Sequence, residues 1–143
     1  MALKVLIVDD DPDSASYLRD ILEDHGFSAV SAHDGEEGLE VSRRERPDLI
    51  LLDLMMPRKT GIRMFQELKK DPELREIPVV VVTGISQATG VDFRDFLFKQ
   101  PDKEKAVGTH GLTQYTAPDG YVEKPIDPDE LMRVVRKALQ EKA

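Results

Sequence analysis

Residues 5–11 read Val5-Leu6-Ile7-Val8-Asp9-Asp10-Asp11, four apolar residues without polar alternation that end on three acids. An unbroken apolar run of this length, closed by polar residues, is how a strand covered on both faces of a parallel sheet reads. The same pattern returns at Leu49-Ile50-Leu51-Leu52, followed by Asp53, and at Val79-Val80-Val81-Val82, followed by Thr83. These are three central strands. Phe27 to Ala32 alternates more and suits an edge strand, and Gly120 to Glu123 is a short fifth strand just ahead of Lys124 and Pro125.

Helical patterns lie between the strands. Asp13 to His25 places Tyr17, Leu18, Ile21 and Leu22 at helical spacing and stops at Gly26, a favoured residue just past a helix end. Gly61 to Lys70 carries Ile62, Phe65 and Leu68 on one face. The last helix starts at Asp127, Pro128 and Glu130, the cap, first and third positions of a capping box, and continues with Leu131, Val134, Val135, Ala138 and Leu139. Alternating strands and helices joined by right-handed crossovers predict an open, doubly wound α/β sheet. There is no internal repeat and no low-complexity tract.

Outward from that pattern, composition narrows the function. A chain of 143 residues suits one domain with a real core, and 40% hydrophobic with 34% charged residues is ordinary for a folded protein. A formal net charge of −8 argues against charge-driven binding to nucleic acid or to an anionic membrane. With no cysteine there is no disulfide, thiolate metal site or cysteine nucleophile, so the chemistry belongs to oxygen and nitrogen groups. Neither a signal-peptide pattern nor a bilayer-length apolar stretch is present, and a cytoplasmic location is expected.

Function in such sheets sits outside the carboxyl ends of the strands. There the sequence puts Asp9, Asp10 and Asp11 after the first strand, Asp53 after the third, Thr83 after the fourth, and Glu123 and Lys124 after the fifth. Asp10 and Asp53 brought together repel unless a proton or cation intervenes, and hard oxygen ligands favour Mg²⁺. Thr83 and Lys124 are suitable donors to the oxygens of a phosphoryl group carried on Asp53, so the set reads as a phosphate cradle. Asp11 and Asp13, around Pro12, are better read as capping and turn residues.

The segments VLIVDDD (5–11), LLDLMMPRKTG (51–61), VVVVTG (79–84) and GYVEKP (120–125) resemble the landmarks of response-regulator receiver domains. The resemblance implies a flavodoxin-like sheet of order 2-1-3-4-5. It also implies Asp53 as phosphoacceptor, and a Mg²⁺ site made by Asp9, Asp10, Asp53 and the backbone carbonyl of Met55. Thr83 and Lys124 then contact the phosphoryl oxygens, Thr83 and Tyr121 form the switch, and the Lys124–Pro125 bond is cis. The implied donor is a phosphohistidine on a sensor histidine kinase or histidine phosphotransfer protein. With no DNA-binding or catalytic output domain after Lys142, signalling by contact with a downstream protein is expected unless the chain is cut from a longer protein, with a homodimer as a further option.

One departure from the pattern stands out. One helix and two short loops between the fourth and fifth strands need on the order of 20 residues, and the interval from Thr83 to Lys124 is longer. Phe93, Phe96 and Leu97 have the spacing of a helical face, whereas Lys99 to Pro118 reads as loop, so an insertion around 98–118 of the single domain 1–143 is expected. It is either decoration beside a packed fourth helix or a distinctive partner surface. Three rival readings compete with this one: a receiver-like adaptor independent of phosphate, a Mg²⁺-dependent phosphohydrolase with an aspartyl nucleophile, and a flavin binder. The adaptor reading expects the acceptor, an acid or the lysine to be lost. The hydrolase expects an acid or base where Met55 stands, and the flavin binder expects hydroxyls where the first loop is acidic. His25, His33 and His110 lack ligand spacing and read as surface residues, and Met55-Met56 as turn and packing residues.

Overall fold

The computed structural model describes residues 3–53, 60–83 and 118–142. Nine elements follow in chain order within them: β1 (Lys4–Val8), α1 (Pro12–Asp24), β2 (Ser28–Ala32), α2 (Gly35–Glu45), β3 (Leu49–Asp53), α3 (Thr60–Lys70), β4 (Val79–Thr83), β5 (Gly120–Glu123) and α4 (Pro128–Lys142). The strands form one parallel sheet in the order β2-β1-β3-β4-β5. This is the α/β, flavodoxin-like architecture expected from the apolar runs and the resemblance. Residues 84–119 separate β4 from β5, an enlarged connection. The expected insertion at 98–118, save for Pro118, and the helical face of Phe93, Phe96 and Leu97 lie outside the described residues.

Both faces of the sheet are covered, which is why the central strands carry no polar alternation. On one face Val5, Ile7, Leu49, Leu51 and Val80 pack with Leu18 and Leu22 of α1 and with Leu131, Val135 and Ala138 of α4. On the other, Leu6, Val8, Ile50, Leu52 and Val81 pack with Val41 of α2 and with Met64, Phe65 and Leu68 of α3. Burying each such side chain stabilises the fold by roughly 1.5–3 kcal/mol before conformational entropy is counted. The helix at 35–45 is the element that the apolar spacing did not reveal. It buries Gly35, Gly38 and Ser42 alongside Val41, and a Cβ on Gly38 would lie 2.7 Å from the sulfur of Met64. Small residues there let α2 approach α3 closely.

The helix ends follow local chemistry. Asp11 caps α1, its Oδ1 accepting from the backbone N–H of Asp13 at 3.0 Å, so both residues take the turn role read for them. Gly26 adopts φ of +89° just beyond α1, a conformation open to glycine at little cost. Asp34 caps α2 by accepting from Glu37 N at 2.8 Å. Asp127 caps α4 by accepting from Asp129 N at 3.3 Å, whereas Glu130 faces Arg133 at 3.7 Å. Of the four residues at helical spacing in α1, Leu18, Ile21 and Leu22 are buried and Tyr17 is 46% exposed.

The edge of the sheet where strands begin is closed by polar clamps. Lys4 N donates to Asp48 Oδ2 at 2.7 Å and Lys4 Nζ to Glu45 Oε1 at 2.7 Å. Asp119 ties β5 to β4 twice, its Oδ2 accepting from Val79 N at 2.8 Å and its N donating to Val79 O at 2.7 Å. Lys69 lies 4.0 Å from the same Asp119 oxygen and donates to the carbonyls of Arg75 and Ile77 at 3.3 and 3.5 Å. No helix among the described residues is long and apolar enough to cross a membrane.

Candidate phosphoacceptor site

Strand register builds the site. In the β1–β3 pair Val8 lies opposite Leu52, so the residues that follow, Asp9 and Asp53, are neighbours at the carboxyl ends of adjacent strands. The chain steps from β1 to β2 on one side and on to β3 on the other, so this is the switch point where such sheets bind ligands. In the same way Asp53 pairs with Val82, and Thr83 with Glu123, which brings the ends of β4 and β5 to the same rim.

Asp9, Asp10 and Asp53 each offer a carboxylate oxygen, and these oxygens lie within 4.8 Å of one another. Asp9 and Asp53 are buried, at 3% and 4% exposure, while Asp10 faces solvent. The Asp9 carboxylate is half satisfied. Its Oδ1 accepts from Asp11 N at 2.9 Å, but its buried Oδ2 has no hydrogen-bond partner among the described residues. Lys124 reaches in from the far side, with Nζ 3.3 Å from Asp53 Oδ2 and 3.9 Å from Asp9 Oδ2. Among the described residues this ammonium lies beside two of the three carboxylates, those of Asp53 and Asp9. A buried carboxylate oxygen without a donor, set among other carboxylates, fits a small hard cation, and the all-oxygen donor set suits Mg²⁺.

The remaining expected positions are distributed as follows. Thr83 ends β4 on this rim, its side chain lying outside the description. The backbone carbonyl of Met55 also lies outside the described residues. Tyr121 is half-buried in β5 and packs against the core layer under α2 and α3. The Lys124–Pro125 bond is cis. His25 is exposed, its ring Nδ1 2.8 Å from Ile21 O, and His33 is exposed beside Asp34 and Glu37, whereas His110 lies outside the described residues. A cleft of about 490 Å³ opens beside the acids, walled by Pro12, Ser16, Arg19, Ser31 and His33, with Arg19 Nη2 donating to Ser31 Oγ at 2.7 Å. Sequence reasoning missed one residue with reach into this region: the Tyr17 hydroxyl donates to the carbonyl of Ile126, two residues after Lys124, at 3.2 Å.

The family model of the response regulator receiver domain matches residues 5–109. Protein PilH of Pseudomonas aeruginosa is 37% identical over 112 residues, which cover 74% of this chain and 93% of that protein. The polar-differentiation response regulator DivK of Brucella anthropi is 30% identical over 139 residues, or 97% of this chain and 98% of its own. Among solved structures, a sensor protein from Polaromonas sp. JS666 superposes with a TM-score of 0.76 at 26% identity, covering 99% of this chain and 98% of that one. The chemotaxis response regulator CheY4 of Vibrio cholerae shares the fold, with a TM-score of 0.71 at 24% identity over 96% of this chain and 99% of its own. With its acids gathered at the switch point of a 2-1-3-4-5 sheet and most of its length matched, the chain belongs to the response regulator receiver domain family of two-component signal transduction.

Proposed function

We propose that Asp53 is the phosphoacceptor of this receiver and that Lys124, Thr83, Asp9 and Asp10 serve its phosphorylation. The observation that carries the reading is the position of Lys124 Nζ, 3.3 Å from Asp53 Oδ2 at the mouth of a buried acid cluster. In the transfer, a carboxylate oxygen of Asp53 forms a bond to phosphorus while the P–N bond of a phosphohistidine breaks. The imidazole leaves with that electron pair and takes up a proton. The ammonium of Lys124 is already oriented toward the oxygen that carries the new bond, so it donates to the phosphoryl oxygens as charge gathers on them, at little reorganisation cost. Thr83, at the end of β4, is the hydroxyl donor of the cradle.

Asp9, Asp10 and Asp53 are the residues that would hold Mg²⁺, with the Met55 carbonyl as a further ligand. When bound, the cation supplies positive charge against the three carboxylates and the phosphoryl group. Asp9 Oδ2, buried and lacking a donor among the described residues, is the atom that supports this assignment. The receiver is in this reading a switch that catalyses its own phosphorylation and dephosphorylation rather than an enzyme acting on a separate substrate. Its partners are a sensor histidine kinase or histidine phosphotransfer protein and a downstream protein. The switch runs from Thr83 to the half-buried Tyr121, whose environment changes as the hydroxyl of Thr83 is drawn toward the new dianion. We read residues 1–143 as one cytoplasmic receiver unit, with the insertion at 98–118 available to partner or dimer contacts.

The test is intact-mass measurement after incubation with acetyl phosphate or phosphoramidate, with Mg²⁺ and with EDTA. The expected result is the gain of one phosphoryl group that needs Mg²⁺ and is absent in Asp53→Asn. Uptake that persists in Asp53→Asn would move the acceptor elsewhere, and no uptake under any condition would leave a receiver fold without the chemistry.

A further inference from the structure

We propose that Tyr17 is a positioning residue for Lys124, holding from α1 the loop that delivers the ammonium to Asp53. The inference rests on Asp53 as phosphoacceptor and adds a residue that neither the strand-end pattern nor the family resemblance assigned. Tyr17 shares helical spacing with buried Leu18, Ile21 and Leu22, yet it is 46% exposed, and its hydroxyl donates to the Ile126 carbonyl at 3.2 Å. That hydrogen bond spans 109 positions of sequence. It connects the helix that follows the Asp9–Asp11 turn with the loop that follows Lys124.

The loop needs such a tie. Residues 124–127 run between β5 and α4 outside regular structure, so the ladder of hydrogen bonds that fixes the strands does not fix them. Ile126 anchors the loop from below by packing against the layer between the sheet and α1 and α4. Asp127 anchors its far end by capping α4. Tyr17 supplies a contact from α1, while Lys124 Nζ keeps its distances of 3.3 Å to Asp53 and 3.9 Å to Asp9. An electrostatic donor is effective only while it is held in place, and a misplacement of about 1 Å is enough to cost rate. The hydroxyl acts through the backbone of Ile126 and touches neither the acceptor nor the phosphoryl group.

The experiment compares rates of phosphoryl uptake from acetyl phosphate at saturating Mg²⁺ for wild type, Tyr17→Phe, Lys124→Met and the double variant. Phenylalanine keeps the exposed ring and removes only the donor. Loss of one solvent-accessible hydrogen bond predicts that Tyr17→Phe slows wild type by about three- to tenfold. If Tyr17 works through Lys124, the same substitution leaves the rate of Lys124→Met unchanged. The concentration of Mg²⁺ giving half-maximal rate should stay at the wild-type value in Tyr17→Phe, because the acids are untouched. An unaltered rate in Tyr17→Phe, equal slowing in both backgrounds, or a loss of Mg²⁺ affinity that accounts for the slowing overturns the proposal. A wild type that takes up no phosphoryl group fails at Asp53 first and removes this inference with it. Normal wild-type uptake with an indifferent Tyr17→Phe removes Tyr17 alone.

Discussion

The two edges of the sheet carry the same kinds of residue and use them in opposite ways. Where the strands begin, carboxylates are committed to backbone donors: Asp48 to Lys4 N at 2.7 Å and Asp119 to Val79 N at 2.8 Å. Of the lysines there, Lys4 donates to Glu45 Oε1 at 2.7 Å, and Lys69 donates to two carbonyls and lies beside one carboxylate. Where the strands end, Asp9, Asp10 and Asp53 face one another, and Asp9 Oδ2 is buried without a donor among the described residues. A carboxylate answered by an N–H closes a structure, whereas carboxylates crowded together leave charge for a cation or a reacting group to answer. Residue type alone does not separate the two cases; the partner does.

The contrast is open to direct attack. The largest effect belongs to Lys124→Met, which should slow Mg²⁺-dependent phosphoryl uptake by roughly two to three orders of magnitude, the usual consequence of deleting one preorganised donor. Intact-mass time courses measure it, and a change below about threefold would make Lys124 as purely structural as Lys69 at the other edge. Next comes the cation. Mg²⁺ at about a hundredfold over its dissociation constant should raise the unfolding free energy of wild type by about 2.7 kcal/mol. Urea denaturation should find that gain lost in Asp9→Asn, and equal gains in both proteins would detach the ion from this rim.

At the opposite edge, Asp119→Ala leaves Val79 N without its side-chain acceptor and should lower stability by about 1–3 kcal/mol in the same urea experiment. Its initial phosphorylation rate should match wild type, and a rate loss as deep as that of Lys124→Met would abolish the division between edges. The smallest effect is a pH dependence. The carboxyl of Glu45 is held below its ordinary value of 4.5, first by its hydrogen bond from Lys4 and then by Arg44. A depressed folded-state value contributes stability above pH 4.5 that disappears as pH falls through the lowered value. The pair is solvent-accessible, so the contribution is slight. Glu45→Gln should therefore differ from wild type above that window and converge with it below, as read from urea midpoints across the acid range.

Much of the site was legible because each of its members ends a strand, and strands covered on both faces announce themselves as apolar runs. Asp9, Asp10, Asp53 and Lys124 could be placed on one rim without knowing the strand order, which came from the family resemblance. The helix at 35–45 escaped for a physical reason: its inner side is built from Gly35, Gly38 and Ser42, which add almost nothing to a hydrophobic period. The readable signal was polar instead, with Asp34 at the cap, acids in the first turn and Arg43 and Arg44 in the last. The exposure of Tyr17 was not legible, since helical spacing says which residues share a face but not how far a buried strip extends. The Lys69–Asp119 clamp joins residues far apart in sequence, each of an ordinary surface type, and no local pattern marks it.

That clamp bears on how this fold admits variation. The chain rejoins the sheet at Asp119, where two hydrogen bonds to Val79 and the nearby Lys69 set the position of β5 from within the framework. The starting point of β5 is thus specified by its landing site, not by the length of what comes before it. Closing a longer loop adds only about 0.6 kcal/mol per doubling. The interval between Thr83 and Asp119 is therefore a natural splice point: a foreign connection grafted there, with Lys69 and Asp119 retained, meets a sheet that already holds its last strand in register.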